Sequence, residues 1–167
     1  ALPSAVAALE AEFNVHRMWE AADPAAFLAQ HRATRLVACW NHPKFDGALM
    51  DQLPALEIIS NFGVGVDAID LDAARARNIR VTNTPDVLSD AVAELTLALM
   101  LATCRRVVEA DRHIRAGKWT QGNYPLTGEL TGATVGILGL GRIGKEIARR
   151  CQAFKMQVVY HGRREQK

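Results

Sequence analysis

Thr134-Val-Gly-Ile-Leu-Gly-Leu-Gly-Arg-Ile-Gly-Lys-Glu-Ile-Ala-Arg-Arg150 is the stretch whose reading decides the fold. A β-branched apolar run leads into Gly139, Gly141 and Gly144, and the residues beyond repeat apolar side chains at helical spacing, Ile143, Ile147 and Ala148. The order is strand, tight turn, helix, which is the context a dinucleotide fingerprint requires. Gly139 permits the turn, Gly141 lets backbone approach a pyrophosphate, and Gly144 lets the helix pack close to the strand. Phosphate oxygens would rest on unpaired N–H groups at the helix N-terminus, where the macrodipole favours anions. The expected cofactor contacts are therefore Gly139, Leu140, Gly141, Arg142, Ile143 and Gly144. A sharp strand-to-helix turn without a ligand is the plainer reading of the same glycines.

A second strand, Met156-Gln-Val-Val-Tyr160, ends where the adenosine ribose of a bound dinucleotide would lie. Folds that bind NAD usually place an Asp or Glu there to accept from the ribose hydroxyls. This chain instead continues His161-Gly162-Arg163-Arg164, and Glu165 comes only after both arginines. Two guanidiniums can grip a 2′-phosphate bidentately, and no carboxylate is present to repel it. Gly162, Arg163 and Arg164 join the expected cofactor contacts, with NADP favoured and NAD as the alternative. The plainer reading leaves both arginines as solvated loop charges.

Composition narrows the class. A chain of 167 residues, 49% hydrophobic and 23% charged, is a folded globular protein rather than a disordered one. A net charge of +2 gives no reason to expect nucleic acid or an acidic membrane as partner. Cys39, Cys104 and Cys151 are odd in number, far apart and without paired spacing. They read as buried thiols of a reducing, cytoplasmic compartment rather than as a disulfide framework or a zinc site. No signal peptide is visible, and the longest apolar stretch, Ala91 to Cys104, is too short to span a bilayer.

Along the chain, helical and strand-like segments alternate. Ser4 to Phe13 is helical in period, Val15 to Trp19 reads as a short strand, and Pro24 opens a helix through Gln30. Strands are expected over Arg35–Trp40, Glu57–Phe62 and Ile79–Thr82, and helices over Asp46–Gln52 and Asp70–Arg77. Such alternation implies βαβ units and a mostly parallel sheet with right-handed crossovers. The pattern breaks at Asn83-Thr-Pro85, which places a domain boundary near Asn83 to Asp86. Beyond it, Ser89 or Asp90 is expected to cap one helix running to a stop at Gly117. Its first half, Ala91 to Ala102, is apolar around nearly the whole circumference, which predicts burial on most sides. Its second half is basic. Trp119 to Pro125 then reads as an irregular arm.

Together these residues resemble the D-isomer-specific 2-hydroxyacid dehydrogenases. The resemblance rests on Asn61-Phe-Gly-Val-Gly-Val-Asp-Ala-Ile-Asp70, Arg77-Asn-Ile-Arg-Val-Thr-Asn-Thr-Pro85, Ala93-Glu-Leu-Thr96, Gly117-Lys-Trp119 and Gly136 to Gly144, in that order from about residue 14 onward. The tail Tyr160-His-Gly-Arg-Arg164 looks most like the NADPH-preferring glyoxylate and hydroxypyruvate (or hydroxyphenylpyruvate) reductases of that family. The implied fold is α/β: a flavodoxin-like substrate domain over residues 1–85, lacking its C-terminal return, and residues 86–167 carrying a dimerisation helix, an arm and the first half of a Rossmann domain.

The resemblance also implies roles. Val64 and Gly65 would offer backbone N–H groups to a substrate carboxylate; consecutive amides in a glycine turn can form such an anion nest. Read without the family, the same turn is as well explained as a strand-to-helix connection. Thr96 would lie near the nicotinamide, although a hydroxyl bonded back within its own helix is the simpler reading. Trp40 and Asn41 would wall the substrate pocket, a buried indole being the commoner explanation. Trp119 resembles a tryptophan of the dimer arm and reads equally as packing.

The family's catalytic Arg, Glu and acid/base His have no counterpart among these residues. His16, His31, His42, His113 and His161 do not match the catalytic position, and none has a carboxylate partner or metal-ligand spacing. No catalytic residue and no metal site are therefore expected in the sequence, which reads as an amino-terminal piece that is inactive alone. The parent activity implied is reduction of a small 2-keto acid by NADPH in a homodimer. An NAD-dependent member such as phosphoglycerate dehydrogenase, and a non-catalytic nucleotide-sensing regulator of the same fold, are the alternatives.

Overall fold

The computed structural model describes residues 3–40 and 43–165. Asn41 and His42 lie outside the described residues. The chain divides into two compact units, Ala1–Pro85 and Asp86–Lys167.

The first unit is a three-stranded parallel sheet with helices between its strands. Helices α1 (Pro3–Glu12) and α2 (Pro24–Gln30) precede β1 (Leu36–Cys39), and α3 (Gly47–Asp51), β2 (Ile58–Asn61), α4 (Leu71–Ala76) and β3 (Arg80–Thr82) follow. Strand order is β1-β2-β3, with Val37 opposite Ile59 and Ile59 opposite Val81. The starts of α2, α3 and α4 are set by side chains. Asp23 accepts from the Ala25 and Ala26 N–H groups, Asp46 from Leu49, and Asp70 from Ala73, each satisfying a donor that the first helical turn cannot. Pro24 follows its cap at the first helical position, where its missing N–H costs nothing. Met50 and Ile59 are the largest fully buried apolar side chains of a core that also holds Phe45, Leu53, Ile69 and Ile79.

Val15 to Trp19 is not a strand. Residues 14–17 are irregular and Met18–Glu20 form one 3-10 turn. No strand among the described residues pairs with it, and Arg17 is held instead by Glu10 and Glu20.

In the second unit, α5 (Ser89–Cys104) and α6 (Val107–Arg115) replace the single helix expected to run to Gly117. Arg106 between them is left-handed, φ 50°, and its guanidinium bonds Glu109 at 2.7 Å. Neither Ser89 nor Asp90 caps α5: Ser89 is its first residue, and Asp90 pairs with Arg150 at 2.7 Å. Only Ala93 and Leu97 of α5 are buried, whereas Leu95 and Leu99 are each about three-fifths exposed, so the expected burial on most sides does not hold within one chain. A 3-10 turn, Lys118–Gln121, opens the arm.

β4 (Thr134–Leu138), α7 (Arg142–Ala153) and β5 (Gln157–His161) complete the unit, with β4 and β5 parallel. Leu97, Leu130, Cys151 and Met156 form its core. Of the three free cysteines only Cys151 is buried; Cys39 and Cys104 are partly exposed. No helix among the described residues is long and apolar enough to cross a membrane.

Ile59→Ala should cost about 2–5 kcal/mol of stability by leaving a cavity at the sheet centre. Phe13→Ala, at a half-exposed position, should stay within about 1 kcal/mol. Urea unfolding of both variants measures the difference.

Candidate functional site

The three fingerprint glycines are required for three separate reasons. Gly139 has φ 94°, a region closed to most L side chains. At Gly144 a Cβ would stand 2.2 Å from the Gly139 carbonyl oxygen, so helix and turn meet only because no side chain intervenes. Gly141 has neither constraint: its φ is −82° and an added Cβ would meet nothing within 4 Å. The chain itself gives no reason for glycine there, and the open space lies in front of the N-terminus of α7. No side chain caps that terminus. Its first-turn N–H groups are thus left to water or to a bound anion.

Leu138 lies opposite His161, and Gly139 donates to the His161 carbonyl at 2.8 Å. Parallel pairing therefore sets Gly162, Arg163 and Arg164 beside the glycine turn. Neither arginine forms an ion pair among the described residues, whereas Arg149 and Arg150 both do. Arg142, the first residue of α7, forms an ion pair with Asp86 at 3.0 Å. Asp86 is itself left-handed, φ 67°. The open turn and uncapped helix start offer the donors that a dinucleotide pyrophosphate would need. Thr96 donates to the Val92 carbonyl at 2.8 Å, the back-bond within its helix anticipated as the simpler reading.

In the first unit the C-terminal ends of β1, β2 and β3 share one edge, and the loop Gly63–Asp67 leaves β2 there. The carbonyls of Gly63 to Val66 are all engaged, Val66 O by the Ile69 N–H at 2.9 Å. Gly63 O accepts from the Thr84 N–H at 3.0 Å, Val64 O from Asn83 Nδ2 at 2.8 Å, and Gly65 O from Asn61 Nδ2 at 2.7 Å. The N–H groups of Val64, Gly65 and Val66 donate to nothing among the described residues. A row of unpaired amides in a glycine turn is what an anion nest needs. Asn61 is 2% exposed, and the Cys39 Sγ–H faces its Oδ1 at 3.7 Å. Burial pushes the Cys39 thiol up from its ordinary value, which keeps it a neutral donor.

Trp40 is not a buried indole; it is 55% exposed and meets Phe62 edge-on, ring centroids 5.3 Å apart, at the ends of neighbouring strands. Trp119 is also exposed. His113 sits edge-on to Tyr124, and neither its Nε2 nor the Tyr124 hydroxyl has a partner among the described residues. No cluster of three metal-ligating side chains occurs among the described residues. Sequence reasoning missed Asn61, Asn83 and Asp86 as site residues. Their signal is weak, because Asn and Asp at strand ends also mark ordinary turns.

Gly144→Ala should destabilise the second unit by about 1–3 kcal/mol or more, since a backbone oxygen must move. Gly136→Ala, where a Cβ meets nothing within 4 Å, should be nearly neutral. Thermal unfolding distinguishes them, and equal losses would contradict the packing role of Gly144.

Comparison with known proteins bears on this arrangement. Residues 2–159 match the family model described as the D-isomer specific 2-hydroxyacid dehydrogenase catalytic domain. The chain is 46% identical over 156 residues to glyoxylate/hydroxypyruvate reductase A of Arabidopsis thaliana, covering 93% of this chain and 50% of that protein. Among solved structures, a 2-hydroxyacid dehydrogenase from Ketogulonicigenium vulgare Y25 aligns with TM-score 0.89 at 47% identity, over 96% of this chain and 51% of that one. An NADPH-dependent glyoxylate/hydroxypyruvate reductase from Sinorhizobium meliloti, in complex with NADP and malonate, aligns with TM-score 0.85 at 43% identity, over 99% and 51%. The chain thus spans about half the length of the relatives it matches. With its fingerprint turn, its parallel sheets and a family match over nearly its whole length, the chain belongs to the D-isomer specific 2-hydroxyacid dehydrogenases.

Proposed function

We propose that the protein of which this sequence is part reduces a small 2-keto acid of the glyoxylate or hydroxypyruvate type to the D-2-hydroxy acid, with NADPH as reductant. The observation that carries the reading is the presence, in a chain of this family, of two sets of unpaired backbone N–H groups. One set is at Val64 and Gly65, the other at the uncapped start of α7. The named activity of the relatives supports the substrate class.

Bound NADPH supplies a hydride to the carbonyl carbon of the keto acid. On this reading Val64 and Gly65 hold the substrate carboxylate by their N–H groups. Gly139, Leu140, Gly141, Arg142, Ile143 and Gly144 receive the pyrophosphate, Thr96 lies toward the nicotinamide, and Gly162, Arg163 and Arg164 receive the 2′-phosphate. The orienting Arg and the Glu–His acid/base pair are proposed to come from sequence outside these 167 residues, consistent with the half-length coverage. Residues 1–85 act as substrate domain, and residues 86–167 as dimerisation segment and first half of the cofactor domain. The three unpaired thiols fit a reducing compartment, the cytoplasm.

The choice of NADPH over NADH rests on Arg163 and Arg164, exposed and without ion-pair partners among the described residues. In the full-length protein, kcat/KM should be higher with NADPH than with NADH. Replacing both arginines by alanine should weaken NADPH by roughly tenfold or more while changing NADH little, since the cofactors differ only at the 2′-phosphate. Equal or better efficiency of the unaltered protein with NADH would refute the assignment. Gly141→Ala should leave stability unchanged and lose cofactor affinity, as read by fluorescence titration with NADPH.

A homodimer is proposed to form on α5, α6 and the arm. Leu95, Leu99, Val107, Val108, Ile114 and Trp119 are all at least half exposed there, more large apolar side chains than a solvent-facing segment usually carries. Sedimentation of the full-length protein at micromolar concentration should show no sizeable monomer population; a clean monomer would remove the proposal.

A further inference from the structure

A trans peptide is planar, so each carbonyl points opposite to the N–H that follows it. A donor that holds the carbonyl of one residue therefore also aims the amide of the next. In the loop after β2 this applies to three successive peptides. The Thr84 N–H at 3.0 Å, helped by Asn61 Nδ2 at 3.5 Å, holds Gly63 O and so turns the Val64 N–H away. Asn83 Nδ2 at 2.8 Å holds Val64 O and turns away the Gly65 N–H. Asn61 Nδ2 at 2.7 Å holds Gly65 O and turns away the Val66 N–H. The donors come from the ends of two strands, Asn61 from β2 and Asn83 with Thr84 from the segment after β3.

We propose that Asn61 and Asn83 are positioning residues that hold the Gly63–Val66 peptides with their N–H groups outward, so that the carboxylate nest exists before substrate arrives. The inference rests on the reading of Val64 and Gly65 as carboxylate contacts. Without the clamp the peptides flanking Gly63 and Gly65 could rotate, and a carboxylate would then have to order them at the expense of affinity. Asn61 suits the task because it is buried and tied to Cys39 through its Oδ1, which leaves its Nδ2 for the carbonyls. Asn83 is exposed and therefore replaceable without disturbing a core.

The test is nuclear magnetic resonance on the full-length protein with oxamate, a non-reacting analogue of a small 2-keto acid. In the unaltered protein the Val64 and Gly65 amide resonances should shift and saturate. Asn83→Asp keeps the shape but puts acceptors against Val64 O. It should weaken oxamate roughly tenfold or more, reorient the Gly65 N–H vector as seen by residual dipolar couplings, and leave the melting temperature within a few degrees. Asn61→Asp should do the same to Val66 and additionally lower stability. Unchanged vectors and unchanged oxamate affinity in Asn83→Asp would overturn the clamp while leaving the nest intact. An unaltered protein whose Val64 and Gly65 amides ignore saturating oxamate would overturn the nest itself, and the inference with it.

Discussion

Parallel strand pairing sends every C-terminal strand end to the same edge, and the candidate sites of this chain depend on that constraint. Cys39 stands beside Asn61 and Ser60 beside Thr82, so the loops leaving β1, β2 and β3 all begin side by side. Only then can Asn83 and Thr84, which follow β3, reach carbonyls of the loop that follows β2. In the second unit the same rule sets His161 beside Leu138, and with it two arginines beside a glycine turn. An antiparallel pair would have sent these neighbours to opposite ends of the sheet.

The architecture in the second unit was readable because glycine has few other reasons to occur at that spacing. Gly139 answers to a backbone angle and Gly144 to a backbone contact, while Gly141 answers to nothing within the chain. Aspartates at helix starts were equally readable, since Asp46 and Asp70 cap the helices whose beginnings they mark. The break at Arg106 was not readable. No Gly or Pro marks it, and a left-handed arginine, paired with Glu109 three residues on, runs against the ordinary backbone preference of a non-glycine residue. Val15 to Trp19 has strand-like composition, but a strand needs a neighbour, and composition carries no information about one.

Burial was misjudged on α5 for a related reason. A helix apolar on all sides announces that something covers it, not what. Within one chain Ala93 and Leu97 are buried and Met100, Leu101 and Cys104 partly so, and the exposure of Leu95 and Leu99 is what the proposed dimer accounts for. The asparagines were overlooked because a side-chain amide at a strand end looks like any turn residue. Its significance appears only when the carbonyl it holds, and the amide that carbonyl controls, are traced through the peptide plane. Amides aimed in advance stabilise an incoming anion without reorganising, which is how fixed dipoles outperform water.

A crystal structure of the full-length protein with NADPH and oxamate bound would test the proposed reading most directly. The oxamate carboxylate should lie within hydrogen-bond distance of the Val64 and Gly65 N–H groups, and the 2′-phosphate should contact Arg163 or Arg164. A carboxylate bound elsewhere, with the amides of the Gly63–Val66 loop facing only solvent, would contradict the substrate assignment. A 2′-phosphate pointing away from both arginines would contradict the cofactor assignment.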